Sequence, residues 1–438
     1  MLRPMTGTPV AEPPPPAASS ARWGPRTVFY GWYIALAGAA TNVLVLGVTS
    51  FGFSVFVAPL HDELGWSVAA ITFGFSLRAF QGGLLGPFMG AVLDRFGPRR
   101  AGVAGILIVA AGLVLFASAH ELWVYYASSL VIALGQSLGG FTAFSTALVY
   151  WFDRMRGRAM GVLAMGNGAA YLLTPVLALL IATYGWRASL LLAAAVIVVA
   201  GVPLSLVLRD RPEPYGLRPD GVPAEAGASR VIPPATGMSV AQALRTPAFY
   251  MLVVAVSVGA PTQTTWIVLQ VPALRDVGYS LEAAALLAAA YGGVQIGLRL
   301  VAGWIADRFG RRLVYGGCFV LQAAGLAMFA GMDAARPWLV PLFLLTYALG
   351  HGLFVVLFMT ITADYFGTRR FATLRGLTMV VQTPLAVLAP LLAGWSFDAW
   401  GSYRPVFLAY AGVVALGAVA VALIRRPMWR DVDVAAAS

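Results

Sequence analysis

The chain has 438 residues, of which 60% are hydrophobic and only 11% are charged. Soluble domains of this size are nearer half apolar, so the composition excludes an ordinary soluble protein. The formal net charge of +11 arises from 29 basic residues that are all arginine. Without lysine there is no Walker-type phosphate loop and no Schiff-base catalyst. One cysteine and three scattered histidines exclude an intramolecular disulfide and argue against a dedicated zinc site, so we expect no cofactor.

Long apolar runs follow a polar N-terminal segment. The first 30 residues contain the run EPPPP, which predicts a disordered cytoplasmic arm rather than a signal peptide. Residues 33–60 and 122–152 contain no Asp, Glu, Lys, Arg or His. Because about 20 apolar residues cross a bilayer, the pattern predicts twelve transmembrane spans. Their predicted bounds are 31–58, 68–93, 101–118, 122–151, 159–183, 188–208, 247–273, 281–306, 313–332, 337–363, 374–396 and 404–424.

The same unit is present twice in the chain. LDRFGPRR at 93–100 returns as ADRFGRRL at 306–313, and ALGQSLGG at 133–140 returns as ALGHGLFV at 348–355. The order of these matches is preserved, and their separation is close to half the chain length. We therefore predict two parallel six-helix repeats with a polar linker between them. The predicted units are an arm (1–30), a first bundle (31–208), a cytoplasmic linker (209–245), a second bundle (246–424) and a cytoplasmic tail (425–438).

The arginines are distributed unevenly between the two sides of the predicted spans. Twenty-three of the 29 lie in the tails and in the loops that follow even-numbered spans. The positive-inside rule then predicts that both termini are cytoplasmic. We therefore interpret the positive charge as a sign of membrane topology and not of nucleic-acid binding, and we expect a monomer in a lipid bilayer.

Two loops resemble the signature of the major facilitator superfamily. GAVLDRFGPRR (90–100) and GWIADRFGRR (303–312) share a glycine, three residues, an aspartate, an arginine, one residue and a second glycine, followed by basic residues. GWYIALAG (31–38) and RDRPEPYGLRPDG (209–221) are similar to the bacterial monocarboxylate and oxalate/formate transporter branch. The resemblance implies an all-α membrane fold with twelve helices in two pseudo-symmetric six-helix bundles. It also implies location in the bacterial cytoplasmic (inner) membrane.

The resemblance assigns a gating role to the duplicated loop. In the family, the aspartate corresponding to Asp94 reaches the N-terminus of span 11 and holds the cytoplasmic side closed. Asp94 and Asp307 lie near helix C-termini, where the helix dipole disfavours an anion, so we expect compensation from the adjacent Arg95 and Arg308. The alternative is that these arginines only fix the topology. The candidate gate residues are Gly90, Asp94, Arg95, Gly97, Arg99, Gly303, Asp307, Arg308, Gly310 and Arg311.

Three ionisable side chains lie well inside the predicted spans, and such groups are functional candidates by default: Arg78, Arg299 and His351. Arg299 precedes Asp307 by eight residues, which is about 12 Å into a core of about 30 Å. We therefore predict that Arg299 lies near the midplane. Arg78 precedes Asp94 by sixteen residues, or about 24 Å. This distance predicts a place near the outer face, where Arg78 can snorkel or take part in an outer gate.

A midplane guanidinium is always charged and matches the geometry of a carboxylate. In the resembled branch an arginine at this place in span 8 binds the substrate carboxylate, and Arg299 matches it. Animal monocarboxylate carriers have an aspartate where this chain has Gln295 and a lysine where it has Phe51. Oxalate exchangers have a lysine where it has Gln382. A single fixed cation suits a monoanion better than a dianion, which favours a lactate-like or pyruvate-like substrate.

His351 titrates near neutral pH, and its repeat partner in span 4 is Gln136. This pairing suggests that the two side chains line one cavity. His351 is then a hydrogen-bond donor to the substrate or a proton carrier, and the alternative is a packing residue. Gln295 and Gln382 are further candidates for binding the substrate or tuning its pocket. Other polar candidates for the lining are Asn42, Asn167, Tyr171, Gln263 and Gln270.

The sequence therefore predicts a secondary transporter that moves a small organic monocarboxylate by alternating access. Proton symport and anion exchange are both left open. One alternative is an efflux pump of the same superfamily, although such pumps commonly need a buried carboxylate and none is evident. A second alternative is a membrane nutrient receptor, which an extended cytoplasmic domain would favour. No catalytic constellation supports an enzyme.

Overall fold

The computed structural model describes most of the chain, in the ranges 28–152, 155–215, 217, 219–221, 237–332, 336, 338–367 and 371–425. The predicted N-terminal arm, nearly all of the C-terminal tail and most of the linker lie outside the described residues. The described chain is almost entirely helical; its isolated β-bridge joins Gly237 and Gly367. For five candidate site residues the helix is described but the side-chain position is not: Gly90, Asp94, Arg299, Gly303 and Asp307.

The described helices fall into two groups on either side of the linker. The first group comprises α1 (Tyr30–Leu46), α2 (Ser54–Leu64), α3 (Val68–Phe96), α4 (Pro98–Ala117), α5 (Leu122–Gly139), α6 (Phe141–Trp151), α7 (Arg156–Ala169) and α8 (Leu173–Leu206). The second comprises α9 (Val240–Leu244), α10 (Pro247–Asp276), α11 (Leu281–Phe309), α12 (Arg311–Ala330), α13 (Leu339–Phe366), α14 (Phe371–Trp400) and α15 (Arg404–Leu423). Short turns connect two pairs of helices: a π-helical turn, Gly47–Phe51, and a 3₁₀ turn, Ala170–Leu172.

The helices amount to twelve membrane crossings within the described residues. Nine segments are long and apolar enough to cross a bilayer. One of them, Arg156–Leu206, has 51 residues and contains a non-helical Gly185, so it makes two crossings. The helices α3 and α13 provide the other two, with 29 and 28 residues. The predicted twelve-helix membrane fold is therefore confirmed.

The duplication is visible in the second crossing of each half. Both α3 and α11 have 29 residues, and Ser67 and Ser280 cap their N-termini by accepting backbone N–H groups. Both helices end at a glycine with positive φ, +81° at Gly97 and +88° at Gly310. Such backbone angles favour glycine, which explains the second glycine of each duplicated loop. The two bundles are therefore related by pseudo-symmetry, as the sequence predicted.

Each half packs as its own bundle, and a few helices join the two halves. In the first half α4 packs on α5 and α8; in the second, α12 packs on α13 and α15. Between the halves, α3 packs on α14, and α11 packs on α7 and α8. We call the side on which α1 begins the tail face and the side on which α3 begins the far face.

The described side-chain contacts between the halves lie in the part of the bundle nearer the far face. The Ser76 hydroxyl donates to the Val387 carbonyl at 2.9 Å, eight residues or about 12 Å into α3. The Gln270 amide of α10 donates to the Phe51 carbonyl in the π-helical turn at 3.0 Å. Near the helix midpoints, a Cβ placed on Gly168 would lie 2.4 Å from the Ile296 side chain. The halves are thus joined from the far face to the middle of the membrane.

Candidate functional site

The helix α11 positions three polar residues one turn apart. Gln295 is fourteen residues from both Leu281 and Phe309, so it lies at the midpoint of the helix. Arg299 is one turn further towards the tail face, about 6 Å beyond the midpoint. Its helix position agrees with the depth predicted from the sequence, while its side chain lies outside the described part of the structure. Tyr291 is one turn before Gln295.

Aromatic and polar side chains meet at this level; the central cluster comprises Tyr171, Tyr291, Gln295, Tyr347 and His351. The Tyr291 hydroxyl and the His351 Nδ1 form a buried hydrogen bond, in which the tautomer of the imidazole decides which atom donates. The Tyr291 and Tyr347 rings are stacked with centroids 6.0 Å apart. This part of the cluster joins α11 to α13 within the second half.

Tyr171 brings the first half into contact with the cluster. Its ring lies 5.7 Å from the Tyr291 ring and 4.2 Å from the Phe51 ring. A Cβ placed on Gly292 would be 2.2 Å from the Tyr171 Cβ, so only a glycine permits this approach of α11. The central cluster therefore lies at the interface of the two halves, where relative motion of the halves changes its contacts.

Gln295 is a buried polar side chain with unused hydrogen-bonding capacity. It is 1% exposed, and among the described residues neither its amide nitrogen nor its amide oxygen has a hydrogen-bond partner. Its oxygen lies 3.2 Å from the place that a Cβ on Gly352 would take. Buried polar groups are nearly always hydrogen bonded, so this amide is available for a bound molecule or water.

The position of Arg78 differs from its prediction. Arg78 is 7% exposed and packs inside the first bundle, with its guanidinium carbon 5.2 Å from the Phe53 ring centroid. Its Nη1 donates to the Thr49 carbonyl at 2.5 Å, and its Nη2 donates to the Ser129 hydroxyl at 3.4 Å. The prediction of a snorkelling residue near the outer face is wrong. Because α3 extends ten residues, or about 15 Å, beyond Arg78 towards the far face, counting from Asp94 alone misplaced it.

The repeat explains why Arg78 is central. At the offset of 213 residues that relates the duplicated loops, Arg78 corresponds to Tyr291 and Thr49 to Thr262. The Arg78 guanidinium donates to the Thr49 carbonyl, and the Tyr347 hydroxyl donates to the Thr262 carbonyl at 3.1 Å. The offset also identifies Tyr291, which was not among the residues predicted to form the site. Each half therefore contains a buried polar cluster at a similar depth.

Other predicted lining residues are held by partners of their own. The Gln136 amide donates to the Thr49 hydroxyl at 2.6 Å, within the first half. The Asn42 amide donates to the Asn167 oxygen at 3.1 Å, again within the first half. Gln382 is partly exposed in α14, and the described contacts do not join it to the central cluster. The structure thus brings Tyr171, Gln295 and His351 together.

The candidate gate residues lie at the tail-face ends of the helices. Arg95 and Arg308 are exposed. The backbone N–H of Arg99 donates to Asp210 Oδ1 at 2.9 Å, which ties the start of α4 to the beginning of the linker. Arg311 forms an ion pair with Asp364 at 2.6 Å, which ties α12 to α13. These contacts lie within single halves, so the gating role of the motif stays a prediction.

Two six-helix bundles that meet around a polar cluster at mid-membrane form the architecture of an alternating-access carrier. The family model of the Major Facilitator Superfamily matches residues 39–270 and 251–436. The chain belongs to this superfamily. It is 28% identical to monocarboxylate transporter 11 of Homo sapiens over 407 residues, covering 90% of this chain and 83% of that protein. It is 26% identical to monocarboxylate transporter 12-B of Danio rerio over 400 residues, covering 86% and 83%.

The fold comparison gives the same architecture. The structure is similar to a bacterial homolog of the human lysosomal transporter Spinster, crystallised in an inward-facing and occupied conformation. The TM-score is 0.71 at 15% identity, covering 92% of this chain and 99% of that one. The protein is a multi-pass membrane transporter and not an enzyme.

Proposed function

We propose that the protein moves a small organic monocarboxylate, similar to lactate or pyruvate, across the bacterial cytoplasmic membrane. The observation that carries this proposal is the position of Arg299, one turn from the midpoint of α11 and one turn from Gln295. A permanently charged group at this depth is costly unless a ligand or partner compensates it. The relatives named monocarboxylate transporters support the same substrate class.

The substrate carboxylate binds to the guanidinium of Arg299, which offers two parallel N–H donors. The rest of a small 2-hydroxy or 2-oxo acid then meets the hydrogen-bonding groups of Gln295 and His351 and the ring of Tyr171. Gln382, Gln136 and Asn42 complete the proposed lining in the state in which they face the cavity. A dianion would need a second fixed cation, and the sequence replaces the exchangers' lysine with Gln382.

Alternating access follows from relative motion of the two halves, 31–208 and 246–424. The arginine distribution supports a cytoplasmic tail face with both termini inside, so the joined far face is external. The substrate then exchanges with the cytoplasm in this state. Opening to the outside separates α3 from α14 and α11 from α7 and α8. The carrier works as a monomer.

Coupling to protons is proposed to use His351. The Tyr291–His351 hydrogen bond persists in both charge states, because a protonated Nδ1 donates to the tyrosine oxygen and a deprotonated Nδ1 accepts from it. A proton taken up here lies in the same cluster as the substrate site. Anion exchange without a proton is the alternative, in which His351 only donates a hydrogen bond.

A binding screen tests the substrate class. Purified protein is heated with lactate, pyruvate or acetate, and with the uncharged lactamide as the matched control. A ligand at 100 times its Kd stabilises the folded state by about 2.7 kcal/mol, so lactate or pyruvate is expected to raise the Tm measurably. Lactamide is expected to leave the Tm unchanged because it cannot pair with a guanidinium. Equal stabilisation by lactamide, or stabilisation by lipophilic cations alone, would favour the efflux-pump alternative.

A further inference from the structure

A carboxylate of the second half caps a helix of the first half at the far face. Asp398, in the last turn of α14, accepts the backbone N–H of Val68 through Oδ1 and that of Ala69 through Oδ2, both at 2.9 Å. The hydroxyl of Ser67 accepts the next N–H, from Ala70, at 3.1 Å. The first N–H groups of a helix have no partner within the helix and carry its positive dipole, so a carboxylate stabilises them. We call the Asp398 contact the far-face cap.

The far-face cap is the outermost part of a close seam between α3 and α14. A Cβ placed on Gly394 would lie 2.8 Å from the backbone nitrogen of Ala69, so the helices touch through backbone atoms. One turn or more further in, the Ser76 hydroxyl donates to the Val387 carbonyl. All of these contacts join different halves. They are lost together when the halves separate at this face.

The same two helices carry an aspartate at the corresponding place in their last turns. Asp94 is two residues before the end of α3, and Asp398 is two residues before the end of α14. In the resembled family the aspartate matching Asp94 reaches the N-terminus of the eleventh span, which is α14 here. The far-face cap has the reverse direction: the aspartate belongs to α14, and the capped N-terminus belongs to α3.

The internal repeat shows that the far-face cap belongs to one seam. Aligning YGWR at 184–187 with WGSY at 400–403 gives Ala182 as the counterpart of Asp398. The first half therefore has no carboxylate at the equivalent place beside α11. An aspartate near its own helix C-terminus is unfavourable, which fits a residue kept for its contact with the opposite half.

From these observations we propose that Asp398 sets the conformational equilibrium of the carrier. It stabilises the state closed at the far face through the N-terminus of α3, and the transition that opens this face breaks the contact. This role rests on the transporter class alone and does not depend on the substrate. Asp398 is a positioning residue, because it acts through α3 and not on a bound molecule.

Distance measurements between spin labels at the far face test the role without substrate. The natural Cys318 is buried and is replaced by serine, and labels are attached at Tyr184→Cys and Glu282→Cys, one in each half. In Asp398→Asn the ratio of far-face-open to far-face-closed carrier is expected to rise about 2- to 30-fold, the range for losing a helix-capping side chain. Solvent exposure of Asp398 favours the lower part of that range.

Asp276→Asn is the matched control. Asp276 Oδ2 accepts from the Ser402 hydroxyl at 3.0 Å and from the Tyr403 N–H at 3.2 Å, so it also caps a helix, but inside the second half. Its loss is expected to lower the Tm without changing the distance distribution. Gly394→Ala is the second variant, since an added Cβ forces the same seam apart; it is expected to lengthen the far-face distance as well. Unchanged distances in both Asp398→Asn and Gly394→Ala, or an equal shift in Asp276→Asn, would overturn the proposal.

Discussion

Replacement of Arg299 by glutamine is expected to abolish carboxylate uptake by reconstituted protein. Glutamine preserves hydrogen-bonding capacity and length but removes the charge that compensates the carboxylate. Truncating one partner of a buried, hydrogen-bonded charge pair costs about 2–5 kcal/mol, which corresponds to a loss of about 30-fold or more in affinity. Initial rates of radiolabelled lactate or pyruvate uptake into proteoliposomes measure the effect.

The matched control for this variant is Arg275→Gln. Arg275 is an exposed arginine at the far-face end of α10, so its loss changes the net charge equally without affecting the central cluster. Its uptake is expected to equal that of the wild type. A comparable Tm for all three proteins excludes misfolding as the cause. Uptake by Arg299→Gln at the wild-type rate would show that the carboxylate is not bound by this arginine.

Replacement of His351 by glutamine is expected to remove the response of uptake to a pH gradient. An imidazole changes charge between about pH 5 and 8, whereas glutamine does not titrate. The described ionisable neighbours of His351 are Tyr291 and Tyr347, and tyrosines ordinarily ionise far above this range. Uptake is measured with an acidic exterior and again at equal pH on both sides. In the variant the two rates are expected to be the same.

The other histidines of the chain provide the controls for this experiment. His120 is exposed near the far face, so His120→Gln is expected to keep the full response to the gradient. His61 Nδ1 lies 2.8 Å from the Trp66 carbonyl at the far-face end of α2 and provides a second control. Proton coupling through His351 would be contradicted if His351→Gln kept the gradient response of the wild type. Anion exchange would then be the remaining mechanism.

The crossings and the repeat were predictable because they depend on hydrophobic run lengths and on a duplicated motif. The depth of Arg78 was not, because it was counted from one helix end, and the far-face extension of α3 has no hydropathy signal. The repeat itself held the correction, since it aligns Arg78 with Tyr291. The π-helical turn that presents the Thr49 carbonyl to Arg78 also has no recognisable sequence pattern.

The contacts missed by sequence reasoning share a physical cause. Asp398 binds backbone N–H groups that are distant in sequence, and no residue type marks such a partner. Gln136 and Asn42 were interpreted as lining residues because polar groups inside spans are rare. Their partners, Thr49 and Asn167, became apparent only from the packing of the helices.

Counterflow is the most direct test of the proposed transport activity. Proteoliposomes containing the wild-type protein are loaded with unlabelled lactate or pyruvate and diluted into a trace of the labelled acid. The proposed function predicts transient accumulation of label above its equilibrium level, absent from protein-free liposomes. It also predicts competition by other monocarboxylates and none by lactamide. The same preparation, if it accumulated no carboxylate but moved lipophilic cations, would contradict the account and support an efflux pump.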